Sequence, residues 1–346
     1  MNDMSVSKDM TLGTARPRLG FLGTGWIGRH RMQAILESGA ADAVAIADAS
    51  PEMLEEAAKA APQARRVADL DALLAEDLDG IVIATPSAQH AEQTIRALNA
   101  GVAVFCQKPL GRDAGEVKTV VEAARAADRL LGVDFSYRHT AGIQRIRELV
   151  RAGELGRLFA VDLTFHNAYG PDKPWFYDKA QSGGGCVMDL GVHLVDLALW
   201  ILDFPKIARI DSHLTAGGRP LAPESSEVED HAVATLVMES GLVVRLACSW
   251  RLQAGCDAVM EASFYGTGGG ASMRNVDGSF YDFLTERYRG TARERLAGPP
   301  EEWGGRAAVA WAEQLRRGKG FDPTCLSFLA VASAMDGIYR GEVLAG

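Results

Sequence analysis

Asp189 and His193 stand four residues apart, just after the run Gly183-Gly184-Gly185. On a helix that spacing puts both side chains on one face. A carboxylate beside an imidazole is an arrangement for proton transfer. Gly191, between them, removes a side chain and permits close approach of a ligand. Asp196 shares the face and reads as a cap or a support. The competing reading is an ordinary i,i+4 polar pair. A metal site is weak with two or three ligands, and no metal is expected.

Lys108 is the next candidate. It follows the apolar strand predicted over Val102–Cys106 and precedes Pro109. In a parallel sheet, ligands sit beyond the carboxyl ends of the strands. That places Lys108 at a cofactor crevice, where an ammonium can hydrogen-bond a substrate hydroxyl or relay its proton. The alternative is a surface lysine at a loop start. His90, after Ala84-Thr85-Pro86, falls near the same crevice; with Thr85 and Pro86 it is expected to contact the cofactor, and its ring reads equally as structural.

The crevice itself is announced by Gly23-x-Gly25-x-x-Gly28 between a strand and a helix. Gly23 permits the tight turn, Gly25 leaves room for a pyrophosphate, and Gly28 lets helix and strand pack closely. The helix N-terminus at Trp26 and Ile27 then offers free N–H groups and a partial positive charge. Asp48, 20 residues after Gly28, ends the second strand, where a carboxylate binds the ribose hydroxyls of NAD. It would repel a 2′-phosphate, and Ala49-Ser50-Pro51 brings no Arg to hold one. The expected cofactor is therefore NAD rather than NADP.

These residues need elements to carry them. Predicted strands at Arg18–Gly23, Ala43–Ala47, Gly80–Ala84, Val102–Cys106 and Leu131–Phe135 alternate with helices at Ile27–Ser38, Pro51–Ala60, Leu70–Ala75, Ala88–Asn99 and Asp113–Asp128. Apolar strands alternating with helices mean a doubly wound parallel sheet covered on both faces. After His139 a helix at Ile143–Ala152 is followed mainly by strands. Ala232–Met238 and Leu242–Trp250 read as a hairpin, with Ala258–Tyr265 and Ala271–Asn275 beyond them. Long helices near Arg306–Arg317 and Leu326–Tyr339 close the chain. The fold class is α/β, with a Rossmann domain over 18–139 and a second α/β domain over 140–346. Residues 1–17 are expected to be a disordered tail.

The bulk composition is that of an ordinary globular protein and excludes other classes. Among 346 residues, Lys+Arg is 36 and Asp+Glu 45, a net charge of −9. Nucleic-acid affinity needs clustered positive charge, so no such partner is expected. Nothing approaches ~18 uninterrupted apolar residues, so a membrane span is not expected either. Five scattered cysteines lack C-x-x-C spacing, which argues against a disulfide framework or zinc ribbon. Cys106 and Cys186 adjoin the two candidate motifs and are expected to be reduced. With no secretory or twin-arginine pattern at the start, the expected location is the cytoplasm.

Taken in this order, the glycine fingerprint, Ala84-Thr85-Pro86 with His90, Lys108-Pro109 and the Gly183–Asp196 stretch resemble the glucose–fructose oxidoreductase / inositol dehydrogenase / rhizopine catabolism (Gfo/Idh/MocA) family. The resemblance runs from about Arg18 to the end. It implies a C-terminal domain with an open, mostly antiparallel sheet whose exposed face joins copies into a dimer or tetramer. It also implies catalytic roles for Lys108, Asp189 and His193. One departure is Gln107, where the family motif has Glu before the lysine.

The expected reaction passes a hydride from a secondary hydroxyl of a sugar, glycoside or cyclic polyol to NAD. His193 takes the proton, Asp189 orients the imidazole or grips a neighbouring hydroxyl, and Lys108 polarises the reacting oxygen. Tyr137, Arg138 and Trp175 are expected to line the substrate pocket. Trp175 lies in an aromatic stretch with Tyr169, Phe176 and Tyr177 whose faces suit a pyranose or simply anchor the loop. Two family branches remain as alternatives: an NAD-dependent glycosidase working by transient C3 oxidation, and a non-catalytic, NAD-binding, sugar-responsive regulator.

Overall fold

The computed structural model describes residues 15–222 and 225–341. The tail expected to be disordered therefore lies outside the described residues up to position 14. Arg16 pairs with Asp42 at 3.1 Å, and the Pro17 carbonyl accepts the Asp42 N–H at 2.9 Å.

The first part runs β1 (Arg18–Leu22), α1 (Trp26–Ser38), β2 (Asp42–Ala47), α2 (Pro51–Ala60), β3 (Arg65–Arg66), α3 (Leu70–Leu74), β4 (Gly80–Ile83), α4 (Ser87–Asn99), β5 (Ala103–Cys106), α5 (Ala114–Ala127) and β6 (Leu131–Val133). The six strands form a parallel sheet in the order β3-β2-β1-β4-β5-β6. Strand order reverses between β1 and β4, which opens a crevice above their carboxyl ends. Local chemistry sets most helix starts: Ser50, Asp69 and Asp113 accept the N–H groups of Met53, Ala72 and Glu116. The helices α1 and α4 lack such caps, with Gly25 and Pro86 at those positions, and both begin at the crevice.

A turn at Ser136–His139 leads through α6 (Ala141–Arg151) and β7 (Leu158–Asn167) to α7 (Lys179–Ser182) and α8 (Val192–Ile201). Strands β8 (Ile207–Ala216), β9 (Arg219–Pro220), β10 (His231–Met238), β11 (Val243–Ser249), β12 (Ala258–Gly266), β13 (Gly269–Asn275), β14 (Phe283–Arg289) and β15 (Ala292–Ala297) follow, then α9 (Arg306–Arg317) and α10 (Leu326–Arg340). They build a nine-stranded sheet in the order β15-β14-β13-β12-β7-β11-β10-β8-β9. It is antiparallel except where β7 pairs with β11. Alternation decides its faces. Leu163, Phe165, Leu246 and Cys248 point into the core with Leu194 and Leu197 of α8. Asp162, in a two-bond pair with Arg245 at 2.7 Å, and the exposed Val233 lie on the other face. The stretch Lys179–Ile201 is long and apolar enough to span a membrane by length and composition, but it is mostly buried inside the protein.

The division at residue 139 is not a clean cut. Helix α9 returns to the first sheet and covers one face, where Ala308, Trp311 and Leu315 pack with Leu19, Phe21, Ile46, Val82 and Phe105. Trp311 lies 5.6 Å from the Phe105 ring, and a Cβ at either Gly80 or Gly132 would come within 2.7 Å of it. The amphipathic pattern of α9 announces an apolar face without saying which sheet it meets. Trp311→Ala should therefore destabilise the first sheet by about 3–5 kcal/mol, read as a lowered denaturation midpoint. A midpoint within error of wild type would show that α9 contributes little there.

Candidate active site

The phosphate loop is shaped as its glycines require. Gly23 has φ +82°, and a Cβ there would sit 2.6 Å from the Ala84 backbone. A Cβ on Gly28 would lie 2.0 Å from the Gly23 carbonyl oxygen. At Gly25 a Cβ would meet nothing within 4 Å, so the space above it is open to a ligand. The exposed Trp26 ring stacks on His30 at 5.8 Å, and α1 starts at Trp26 with no side-chain cap. Asp48 braces the loop, its Oδ2 accepting the Thr24 N–H at 2.5 Å and its Oδ1 the Ser50 N–H at 2.8 Å. The Thr24 hydroxyl also reaches Oδ2, at 3.3 Å, while Oδ1 keeps a lone pair for a ribose hydroxyl. Uncapped N–H groups, an open glycine and a carboxylate at the end of β2 together fit a dinucleotide.

His90 corrects its expectation as a cofactor contact. It is buried, and its ring nitrogens lie 2.7 Å from the carbonyl oxygens of Pro109 and Thr85. Burial pushes its pKa down against the pull of both carbonyls. The ring is a strut tying the loop after β4 to the turn that carries Lys108. Thr85 also turns inward, its hydroxyl donating to Gln93 Oε1 at 2.6 Å, beside Pro86 at the start of α4.

Lys108 and Asp189 do meet. The lysine Nζ donates to the Asp189 carbonyl at 2.6 Å and to Oδ1 at 2.8 Å. The other carboxylate oxygen, Oδ2, accepts the Trp250 indole N–H at 3.1 Å. No bond joins Asp189 to His193, so the aspartate orients the lysine rather than the imidazole. The reason is local: Val187–Gly191 forms a π turn with wider i→i+5 spacing, and only from Val192 is the helix regular. Across that turn the i,i+4 rule for facing side chains lapses. His193 instead stands edge-on to Tyr137, ring centroids 4.9 Å apart. Burial, then the charges of Lys108 and Arg31, hold its pKa well below the ordinary imidazole value. The neutral ring is a proton acceptor.

Each glycine of the triplet is required by a neighbour. Gly183 has φ +84°, a Cβ on Gly184 would meet the Tyr339 hydroxyl at 1.9 Å, and one on Gly185 would meet the Glu229 carbonyl oxygen at 1.9 Å. Glu229 went unmarked in the sequence because it lies in an acidic stretch with no motif. Its buried Oε1 accepts the N–H groups of Gly185 and Val187 and the Tyr339 hydroxyl, each at 2.9 Å. It thus caps the π turn from another part of the chain. Burial raises its pKa while those donors oppose the shift. Trp250 was likewise visible only as the end of a strand.

Two residues expected to line the substrate pocket are turned elsewhere. The Arg138 guanidinium pairs with the buried Asp196 of α8, Nε to Oδ2 at 2.8 Å with a second bond from Nη2 to Oδ1. Tyr137 is buried among His193, Phe165 and Trp303, and is a wall behind the imidazole. Trp175 stacks on Phe176 at 3.8 Å, while Phe176 and Tyr177 pack against Trp250 at 6.4 and 5.5 Å. The aromatic loop therefore rests on the indole that holds Asp189.

With this arrangement in place, two profiles of one family match the chain. Its NAD-binding Rossmann fold matches residues 18–135 and its C-terminal domain residues 143–272. The chain belongs to the GFO/IDH/MocA oxidoreductase family. The D-glucoside 3-dehydrogenase of Escherichia coli is 29% identical over 211 residues, 58% of this chain and 60% of that protein. The inositol 2-dehydrogenase of Rhodococcus erythropolis is 33% identical over 227 residues, 65% of this chain and 62% of that protein. The chain thus spans about three fifths of the length of these two curated relatives. The solved structure of GenD2 from gentamicin A biosynthesis, in complex with NAD, aligns with a TM-score of 0.79 at 24% identity, over 98% of this chain and 97% of that one. That likeness is one of fold.

Two outcomes follow from the geometry. Trp250→Phe frees Asp189 Oδ2 and should lower kcat about tenfold or more, with NAD affinity unchanged. Equal kcat would remove Trp250 from the site's support. The lowered His193 pKa sets the sign of a pH effect. The ring stays neutral as pH falls through the ordinary value of about 6.5, so kcat/KM should hold there and fall only at lower pH. An acid limb at or above the ordinary value, absent in a His193→Asn comparison, would contradict this.

Proposed function

We propose that the protein is an NAD-dependent dehydrogenase acting on a secondary hydroxyl of a sugar, glycoside or cyclic polyol. The observation that carries this reading is the Lys108–Asp189 pair beside a neutral His193, set at the carboxyl end of β5 next to the switch point of the first sheet. Bound NAD would supply the hydride acceptor at this place. Gly23, Gly25, Gly28 and the backbone of Trp26 and Ile27 would hold its phosphates, and Asp48 its ribose. A carboxylate at Asp48 with no arginine in Ala49-Ser50-Pro51 favours NAD over NADP.

The side chains divide the remaining work. Lys108 Nζ donates to the reacting oxygen and steadies its negative charge as the hydroxyl proton leaves. His193 receives that proton on its neutral ring. Asp189 fixes the lysine and offers its carboxylate to a neighbouring hydroxyl. Trp175, stacked on Phe176, gives an apolar face for one side of a sugar ring. The names of the glucoside and inositol dehydrogenases fit this substrate class. The presence of both Lys108 and His193 ranks the regulator reading last. The open face of the nine-stranded sheet, with Val233 39% and Tyr265 36% exposed, is our contact between copies in a homodimer or tetramer. Its five free thiols suit the reducing cytoplasm.

The test is NADH formation against a panel of inositols, free sugars and glycosides, repeated with NADP and followed by sedimentation of the active species. Lys108→Ala should lower kcat by about 10²–10⁴ while NAD still binds. Undiminished turnover in that variant, or equal use of NADP, would overturn the corresponding part of the reading. NAD retained through turnover without net NADH would point to the glycosidase branch.

A further inference from the structure

Behind Lys108 lies a second buried charge that the reaction does not use. Asp134 follows β6 and is 1% exposed. Its Oδ2 accepts Arg31 Nε at 2.6 Å and also the side-chain amide of Gln107. Its Oδ1 accepts the Ser136 hydroxyl. Arg31, from α1, reaches Ser136 Oγ with Nη2 at 2.9 Å and His30 Nδ1 with Nη1 at 3.0 Å. The main chain runs through the same cluster, with the Gln107 N–H on the Ile83 carbonyl and the Asp134 N–H on the Cys106 carbonyl, both at 2.9 Å.

We propose that Asp134, held by Arg31, is a positioning residue that sets Lys108 on Asp189 through the amide of Gln107. This rests on the reading of Lys108 as the donor to the reacting oxygen.

Three considerations support the assignment. Buried ion pairs are poor sources of stability compared with apolar packing, so their retention points to a geometric role. The cluster also touches the parts that must agree in register: α1 at the phosphates, the residue preceding Lys108, and Ser136, which precedes the Tyr137 ring behind His193. Finally, the chemistry at position 107 is dictated by Asp134. An amide donates to that carboxylate. A glutamate at 107 would instead set two buried anions against one guanidinium. This accounts for Gln107 where the family motif has Glu: the acidic group near the lysine turn stands just after the neighbouring strand β6. Exchanging the two side chains keeps one carboxylate, one amide and one guanidinium in the same space.

The exchange is the experiment. Gln107→Glu, Asp134→Asn and the double variant are compared with wild type for kcat, KM, NAD affinity by fluorescence quenching, and the position of Lys108 in crystal structures. Each single variant should lose roughly tenfold to hundredfold in kcat, with Lys108 Nζ displaced from Asp189 Oδ1 and NAD affinity little changed. The double variant should recover most of the loss. Single variants with wild-type kcat, or a double no better than the worse single, would overturn the proposal. Should a single variant fail to fold, recovery of folding and kcat in the double supports it, and failure of the double counts against it. If wild type oxidises nothing in the substrate panel, the dehydrogenase reading falls on its own. The crystal structures then decide the positioning role, and Lys108 unmoved in Asp134→Asn would end it.

Discussion

The hydrogen bonds from Lys108 to Asp189 join the end of the first sheet to the π turn of the second part of the chain. Neither partner is held by its own element alone. Behind the lysine stand the Asp134–Arg31–Gln107 cluster and the His90 strut. Behind the aspartate stand the Trp250 indole and the Glu229 cap. A half-buried lysine–carboxylate pair gains little net stability after desolvation. Its value is positional: it states where two separately built halves must coincide, and the supporting residues make that coincidence repeatable.

The electrostatic character of the site follows from the same contact. Lys108 brings a positive charge beside a half-buried imidazole, and desolvation and that charge both oppose protonation of His193. A lysine that donates and a histidine that accepts thus differ in role because they are neighbours. The π turn contributes as well. By releasing Asp189 from the i,i+4 register it lets the carboxylate face the lysine, while His193, on the regular helix after it, faces Tyr137. Such wide turns are common where a helix serves a functional site.

Much of this was legible in the sequence, and the limits are physical. The glycine fingerprint and the apolar strands are local signals, and the structure follows them closely, although Asp113 caps α5 where the sequence predicted it as the first helical residue. Lys108, Asp189 and His193 were found because each sits in a short motif at a crevice dictated by strand order. Partners brought together across long separations were not. Glu229 lies 42 residues from Val187, and Asp134 lies 103 from Arg31, with no periodicity linking them. His90 and Arg138 follow recognisable local signals, but their roles turn on which atoms they meet: backbone carbonyls for one, Asp196 for the other.

The return of α9 to the first sheet gives the chain a direction in time. During synthesis the six strands are complete once residue 133 is made, but the face that receives Ala308, Trp311 and Leu315 is covered only in part, by Met32, Ile35 and Ala57 of α1 and α2, until residues 306–317 emerge. Phe105, whose ring meets Trp311, therefore keeps an open side while the whole second sheet is translated. A ribosome that stops early releases a sheet with one side only partly covered.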